Sequence, residues 1–149
     1  SYFTNEKVLV GYVYHKTGKG HNDFSTMKPE YLEPAKGTRW QKEVVVITNR
    51  QCFSAANDFV KMMHCLPHVT LLGDRTGGGS GMPFMQELPC GWSVRYSAVV
   101  TVDRDKKHIE FGIDPDVKVS MNMEDVMRKK DTLIEQARTI LRQKANETP

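Results

Sequence analysis

The chain has 149 residues, enough for one domain with a hydrophobic core of its own. Hydrophobic residues at 39% and charged residues at 26% exclude a disordered or fibrous chain. A net charge of +3, with its basic clusters (Arg104, Lys106, Lys107; Arg128 to Lys130) diluted by acids, leaves no footprint for a nucleic acid, and no apolar run is long enough to span a membrane.

Val8 to Tyr14 is rich in β-branched and aromatic residues and predicts a strand. His15 to Asp23 holds Gly18, Gly20 and Asn22 and predicts a loop. Lys28 to Thr38 contains Pro29, Pro34 and Gly37 and predicts an irregular surface excursion. Val44 to Thr48 (VVVIT) is a continuous apolar run, the pattern of a strand buried on both faces. After a turn over residues 49–53, Ser54 to Leu66 predicts a helix with Ala55, Phe59, Met62, Met63 and Leu66 as its apolar stripe, stopped by Pro67. Val69 to Leu72 predicts a second short strand. Strand, helix and strand make a βαβ unit with a parallel pairing. The fold class is therefore α/β.

Gly73 to Gly81 holds five glycines and predicts a tightly folded loop. Phe84 to Val102 reads as β structure broken at Pro89-Cys90-Gly91. Charged Asp103 to Lys107 and Ile113 to Asp116 read as turns, and Asn122 to Lys129 as a short helix. A last helix opens on a capping box of Thr132 and Glu135 and carries Leu133, Ile134, Ala137, Ile140 and Leu141 on one stripe. Residues 1–149 form one domain, with residues 146–149 expected to fray. Cys52, Cys65 and Cys90 are an odd number without metal-ligand spacing and are expected to be buried free thiols.

The sharpest chemical feature is VVVITNRQCFSAANDF, in which a buried strand ends, the chain turns, and a serine stands where a helix begins. The plain role of Ser54 is a helix N-cap. The same position suits a nucleophile, because unpaired N–H groups and the positive end of the helix dipole face its oxygen. The N–H of Ala55 could then stabilise the oxyanion of a tetrahedral intermediate. The G-x-S-x-G form of the nucleophile elbow is absent. GDRTGGGSG, from Gly73, lacks the G-K-[ST] ending of a phosphate-binding loop, so no nucleotide or other cofactor is implied. Its Gly77, Gly78 and Gly79 could instead lie against a bound peptide. In IEFGIDPD, Glu110 is an acid beside a turn. Of the five histidines, His64 and His68 flank Pro67 and suit the end of a helix, His108 sits in a charged turn, and His15 or His21 could reach Ser54 from the first loop.

Taken in order, SAAN from Ser54, GDRTGG from Gly73, ELPCGW from Glu87 and GIDPD from Gly112 resemble the serine peptidase family of the tail-specific (C-terminal-processing) proteases, the tricorn core protease and the interphotoreceptor retinoid-binding protein. The resemblance covers roughly residues 43–120. It implies a crotonase-like or ClpP-like α/β fold, hydrolysis of peptide bonds with Ser54 as nucleophile and Ala55 in the oxyanion hole, a peptide or protein substrate, and an extracytoplasmic setting in the bacterial periplasm or cell envelope. Members with a Ser-Lys dyad carry a lysine where this chain has Gly79, and a glycine takes no proton. The tricorn-like branch uses a histidine well upstream of the serine, assisted by an acid for which Glu110 is the match. The chain is thus expected to be the C-terminal part of a catalytic domain. The base and a second, glycine-rich oxyanion donor would belong to an upstream domain, and the fragment alone would be inactive. The same fold could serve as a non-catalytic ligand-binding module, as in the retinoid-binding relatives. An acyl-CoA enzyme of crotonase type would need a CoA site that the sequence does not offer.

Overall fold

The β-branched runs at Val8, Val44, Val69 and Val99 form the strands around which the chain folds, and the computed structural model describes residues 1–147 of it. The elements are β1 (Val8–His15), β2 (Lys28–Leu32), β3 (Val44–Thr48), α1 (Ala55–His64), β4 (Val69–Gly73), β5 (Pro83–Glu87), β6 (Ser93–Ser97), β7 (Val99–Val102), β8 (Val117–Lys118), α2 (Met123–Met127) and α3 (Thr132–Glu147). They form an antiparallel sheet β2-β1-β7, a parallel sheet β3-β4-β8, and a hairpin β5-β6. β3, α1 and β4 are the expected βαβ unit, with Val44 to Thr48 in register against Val69 to Gly73. The fold is α/β, with α1 touching β1 of one sheet and β3 and β4 of the other.

The core sits under α1. Val60, Met63 and Leu66 close against Val69 and Leu71, with Phe3, Val8, Leu32, Val44, Val46 and Ile113 around them. β4 is the middle strand of its sheet and all five of its residues are buried. β3 lies at the sheet edge, so only Thr48 of its five residues is buried and Ile47 is exposed; the expected burial on both faces belongs to β4 instead.

Other expectations are corrected by the fold. Lys28 to Leu32 is an edge strand paired with β1 rather than part of an irregular excursion, and an edge tolerates Pro29 because the missing N–H can face away from the partner strand. α1 buries Asn57, Val60, Lys61 and Met63, whereas Ala55 and Phe59 are exposed. α3 is capped by Asp131, whose Oδ1 accepts the N–H groups of Leu133 and Ile134, and not by Thr132. The hydroxyl of Thr132 donates to Asp125 instead. α3 runs through Glu147, which leaves Asn146 helical; residues 148–149 lie outside the described residues. Cys65 is buried, and burial pushes its thiol up from the usual range, but Cys52 is half-buried and Cys90 is exposed at the hairpin tip. Among the described residues, no helix is long and apolar enough to cross a membrane.

Candidate active site

The turn that carries Ser54 is fixed from both ends. Thr48, the last residue of β3, donates its hydroxyl to the Asp74 carbonyl at 2.7 Å, tying the strand end to the glycine loop. The Asn49 side chain accepts the N–H of Gln51 at 2.8 Å and sharpens the turn. Ser54 then adopts φ 56° and ψ −119°, a conformation that non-glycine residues rarely hold. Its N–H donates to the Gly78 carbonyl at 2.9 Å, and its carbonyl accepts the N–H of Asp58 at 3.0 Å to start α1. Its side chain makes no capping hydrogen bond. Ser54 thus occupies the cap position without doing the capping that would explain a serine there.

The hydroxyl stands in a cleft of about 250 Å³ lined by Phe53, Gly79, Ser80, Arg95, Ser97 and Glu110 among others. Ala55 is the first residue of α1, so its N–H belongs to the group that has no intrahelical acceptor. It lines a second recess on the Ser54 side of the helix, together with Asp58, Met62 and Met82.

Glu110 is exposed and sits in a turn. That turn follows the single bridge of His108 to Val102 and is closed by the Gly112 N–H donating to the Ile109 carbonyl at 3.0 Å. The carboxylate still reaches the cleft, where Oε2 accepts the N–H of Ser80 at 3.0 Å. Of the three glycines, only Gly79 lines the cleft. Gly77 donates its N–H to the Cys52 carbonyl at 3.0 Å, and Gly79 donates to the Glu110 carbonyl at 2.8 Å. Gly78 holds φ 77°, and a Cβ there would collide with the Glu110 carbonyl oxygen. These glycines let the loop run between the Ser54 turn and the Glu110 turn, with the Gly77 and Gly79 N–H groups and the Gly78 carbonyl engaged within the protein.

A buried network locks those two turns to one another. Asn57 and Thr76 are both fully buried. Asn57 donates from Nδ2 to the Ile109 carbonyl at 3.0 Å. Thr76 donates its hydroxyl to Asn57 Oδ1 at 2.6 Å and accepts the Ile113 N–H at 2.7 Å. A residue three beyond Ser54 therefore holds the residue just before Glu110. Neither residue of this pair stands out in the sequence. The available signal was an asparagine at i+3 from the serine, on the same helix face.

A second polar cluster lies below the recess. Lys61 is buried, with Nζ 2.7 Å from Glu30 Oε2 and 4.0 Å from Asp58 Oδ1. Ser80 donates its hydroxyl to Asp58 Oδ1 at 3.3 Å. Burial pushes the Asp58 carboxyl above the usual range, against the opposing pull of Lys61 and Ser80.

Among the described residues, no histidine or lysine lines this cleft, whereas the second recess is lined by both Ser54 and Lys61. His64 places Nε2 3.2 Å from Asp116, whose other oxygen accepts the Leu71 N–H at 2.7 Å, and so pins the segment after Gly112 to β4. His15 lies in β1, exposed. His21 and His108 line a neighbouring groove that shares Tyr96, Ser97 and Glu110 with the cleft. A serine on a strained strand-to-helix turn, with a carboxylate in the same cleft, is an arrangement suited to acyl transfer.

Residues 1–119 match Peptidase family S41, and the chain belongs to that family. In the solved structure of a "putative peptidase" from Parabacteroides merdae, the similarity reaches 54% identity and a TM-score of 0.90, over 94% of this chain and 44% of that one. The chain thus spans less than half the length of that protein. Mature CPAF complexed with lactacystin is similar in fold at 22% identity and a TM-score of 0.68, over 80% of this chain and 24% of that one. The photosystem II D1 C-terminal processing protease is similar in fold at 16% identity and a TM-score of 0.55, over 85% of this chain and 32% of that one. No curated protein matches the chain. The family match marks the domain over residues 1–119 as one of a peptidase family.

Proposed function

We propose that this chain carries the nucleophile half of a serine peptidase site in a crotonase-like catalytic domain. Ser54 Oγ attacks the scissile carbonyl carbon as a base takes its proton. The oxygen of that carbonyl becomes an oxyanion facing the Ala55 N–H and the start of α1. The leaving amine takes the proton back, and water then releases the acyl group from Ser54 by the same route. Glu110 orients the base or stabilises its charged form, and Gly79 borders the substrate. The base is a histidine contributed from outside this chain. Support comes from the cleft, which holds a carboxylate and an arginine but no histidine or lysine among the described residues. The substrate is a peptide or protein, and the setting that fits the family is extracytoplasmic.

The single observation that carries this reading is the conformation of Ser54. It holds a strained positive φ and spends its hydroxyl on no capping bond. A serine serving only as a cap has no use for either feature. That weighs against the alternative, a ligand-binding module in which Ser54 is inert.

The test is covalent labelling of the full-length protein with a small fluorophosphonate, followed by peptide mapping. Modification at Ser54, lost in Ser54→Ala, is expected. An unmodified Ser54 in a folded protein would favour the ligand-binding module. The 149-residue chain alone is expected to turn over little or no protein substrate. Robust turnover that Ser54→Ala abolishes would place the base within this chain.

A further inference from the structure

Beside the Ser54 cleft runs a second groove of about 710 Å³, a size typical of ligand sites. Tyr14, Phe24, Tyr96 and Phe111 form its walls, and His21 and His108 stand at its margin. The aromatic rings come from four separate parts of the chain, yet they converge here, with Tyr14 and Phe24 in edge-to-face contact at 5.2 Å between centroids. Phe24, Tyr96 and Phe111 are all exposed, so the groove presents rings to solvent that a core would have covered. Its floor is β7, the last strand of the β2-β1-β7 sheet, whose pairing beyond β1 is, among the described residues, the single bridge from Val102 to His108. The groove adjoins the Ser54 cleft, with Tyr96, Ser97 and Glu110 lining both.

We propose that this groove is a side-chain subsite for the peptide substrate. An extended segment lies along the free edge of β7, and a large aromatic side chain seats among Tyr14, Phe24, Tyr96 and Phe111. A strand edge supplies main-chain hydrogen bonds without regard to sequence, and a pocket beside it then selects every second side chain. Aromatic walls favour an aromatic guest, since offset or edge-on ring pairs add to the gain from area buried. The three residues shared with the cleft place the groove beside Ser54, so the occupant is the substrate rather than an unrelated ligand. The proposal rests on the reading of Ser54 as the nucleophile, but its test does not.

Binding is measured with the full-length Ser54→Ala protein, which cannot acylate, and fluorescein-labelled octapeptides of alanine and serine. One position at a time carries Phe. A single placement of Phe is expected to bind about ten- to hundredfold tighter than the parent peptide, the effect of burying one aromatic side chain. In Phe24→Ala and Tyr14→Leu that ratio should fall toward one. Equal binding of all the peptides overturns the proposal, as does an aromatic preference that both variants retain. Labelling of Ser54 in the wild-type protein reports separately on the nucleophile. A labelled Ser54 without aromatic preference sinks only the subsite, and an aromatic preference without labelling sinks the peptidase reading and leaves the groove a peptide-binding site.

Discussion

At Ser54 the backbone and the side chain pull in different directions. Left-handed φ with ψ near −119° suits glycine, and serine is held there by its N–H bond to the Gly78 carbonyl and by the start of α1. Such strain costs on the order of 1–3 kcal/mol, partly offset by the greater chain entropy that glycine loses on folding. Ser54→Gly is therefore expected to stabilise the fold by about 1 kcal/mol, read as a higher urea midpoint at unchanged slope, while Ser54→Ala leaves the strain in place. A destabilised Ser54→Gly would mean that the turn is relaxed and that the strain argument fails. The serine itself was legible in the sequence, since an apolar strand, a turn and a helix start bracket it. Its strain was not, because φ is set by the glycine loop that closes over the turn from some twenty residues away.

At the scale of elements, α1, the glycine loop and the Glu110 turn are joined through Asn57 and Thr76. Thr76→Val removes a donor and an acceptor at once and leaves Asn57 Oδ1 and the Ile113 N–H unpaired in the interior. A cost of about 2–4 kcal/mol is expected, against well under half of that for Thr76→Ser, which keeps the hydroxyl. Equal losses in the two variants would assign the effect to packing rather than to hydrogen bonds. The same helix predicts a pH dependence. Asp58 has a carboxyl raised by burial, so folding binds its proton more tightly than the unfolded chain does. Its contribution is full below the unfolded value of about 4 and is lost as pH rises through the higher folded value. Stability measured across that window should fall in the wild type relative to Asp58→Asn, and parallel curves would show that burial does not govern this carboxyl. Hydrophobic periodicity found this helix and its buried Met63 and Leu66, but it missed the polar residues on the inner face. Asn57 and Lys61 are buried because Ile109, Thr76 and Glu30 supply their partners, and such partners lie on other elements that spacing along one helix cannot reveal. Phe59 fits the helical spacing of the apolar stripe and is nevertheless exposed.

For the molecule as a whole, the parallel βαβ unit was legible because a continuous apolar run, a helix and a second run follow one another within about thirty residues, the spacing such a unit needs. The place of the β5-β6 hairpin was not legible, since alternation predicts strands but not whether anything covers them. All five residues of β5 and all five of β6 are exposed, and the register sets Phe84 opposite Tyr96 with ring centroids 6.5 Å apart. A two-stranded hairpin with no third strand and no covering layer is marginal in water. β4, by contrast, is central, paired on both sides and buried throughout. Stability should therefore be graded across the chain, with the hairpin opening by local fluctuation and β4 only on global unfolding. Amide hydrogen exchange of the 149-residue chain is the measurement. The hairpin amides from Phe84 to Tyr96 are expected to exchange orders of magnitude faster than those of Thr70 to Leu72, and the contrast should hold on dilution. Protection of the hairpin equal to that of β4 at every concentration would mean that the strands are stabilised within one molecule by contacts the fold does not contain. Protection that grows with concentration would mean that copies of the chain cover the exposed Phe84, Met85, Trp92 and Tyr96.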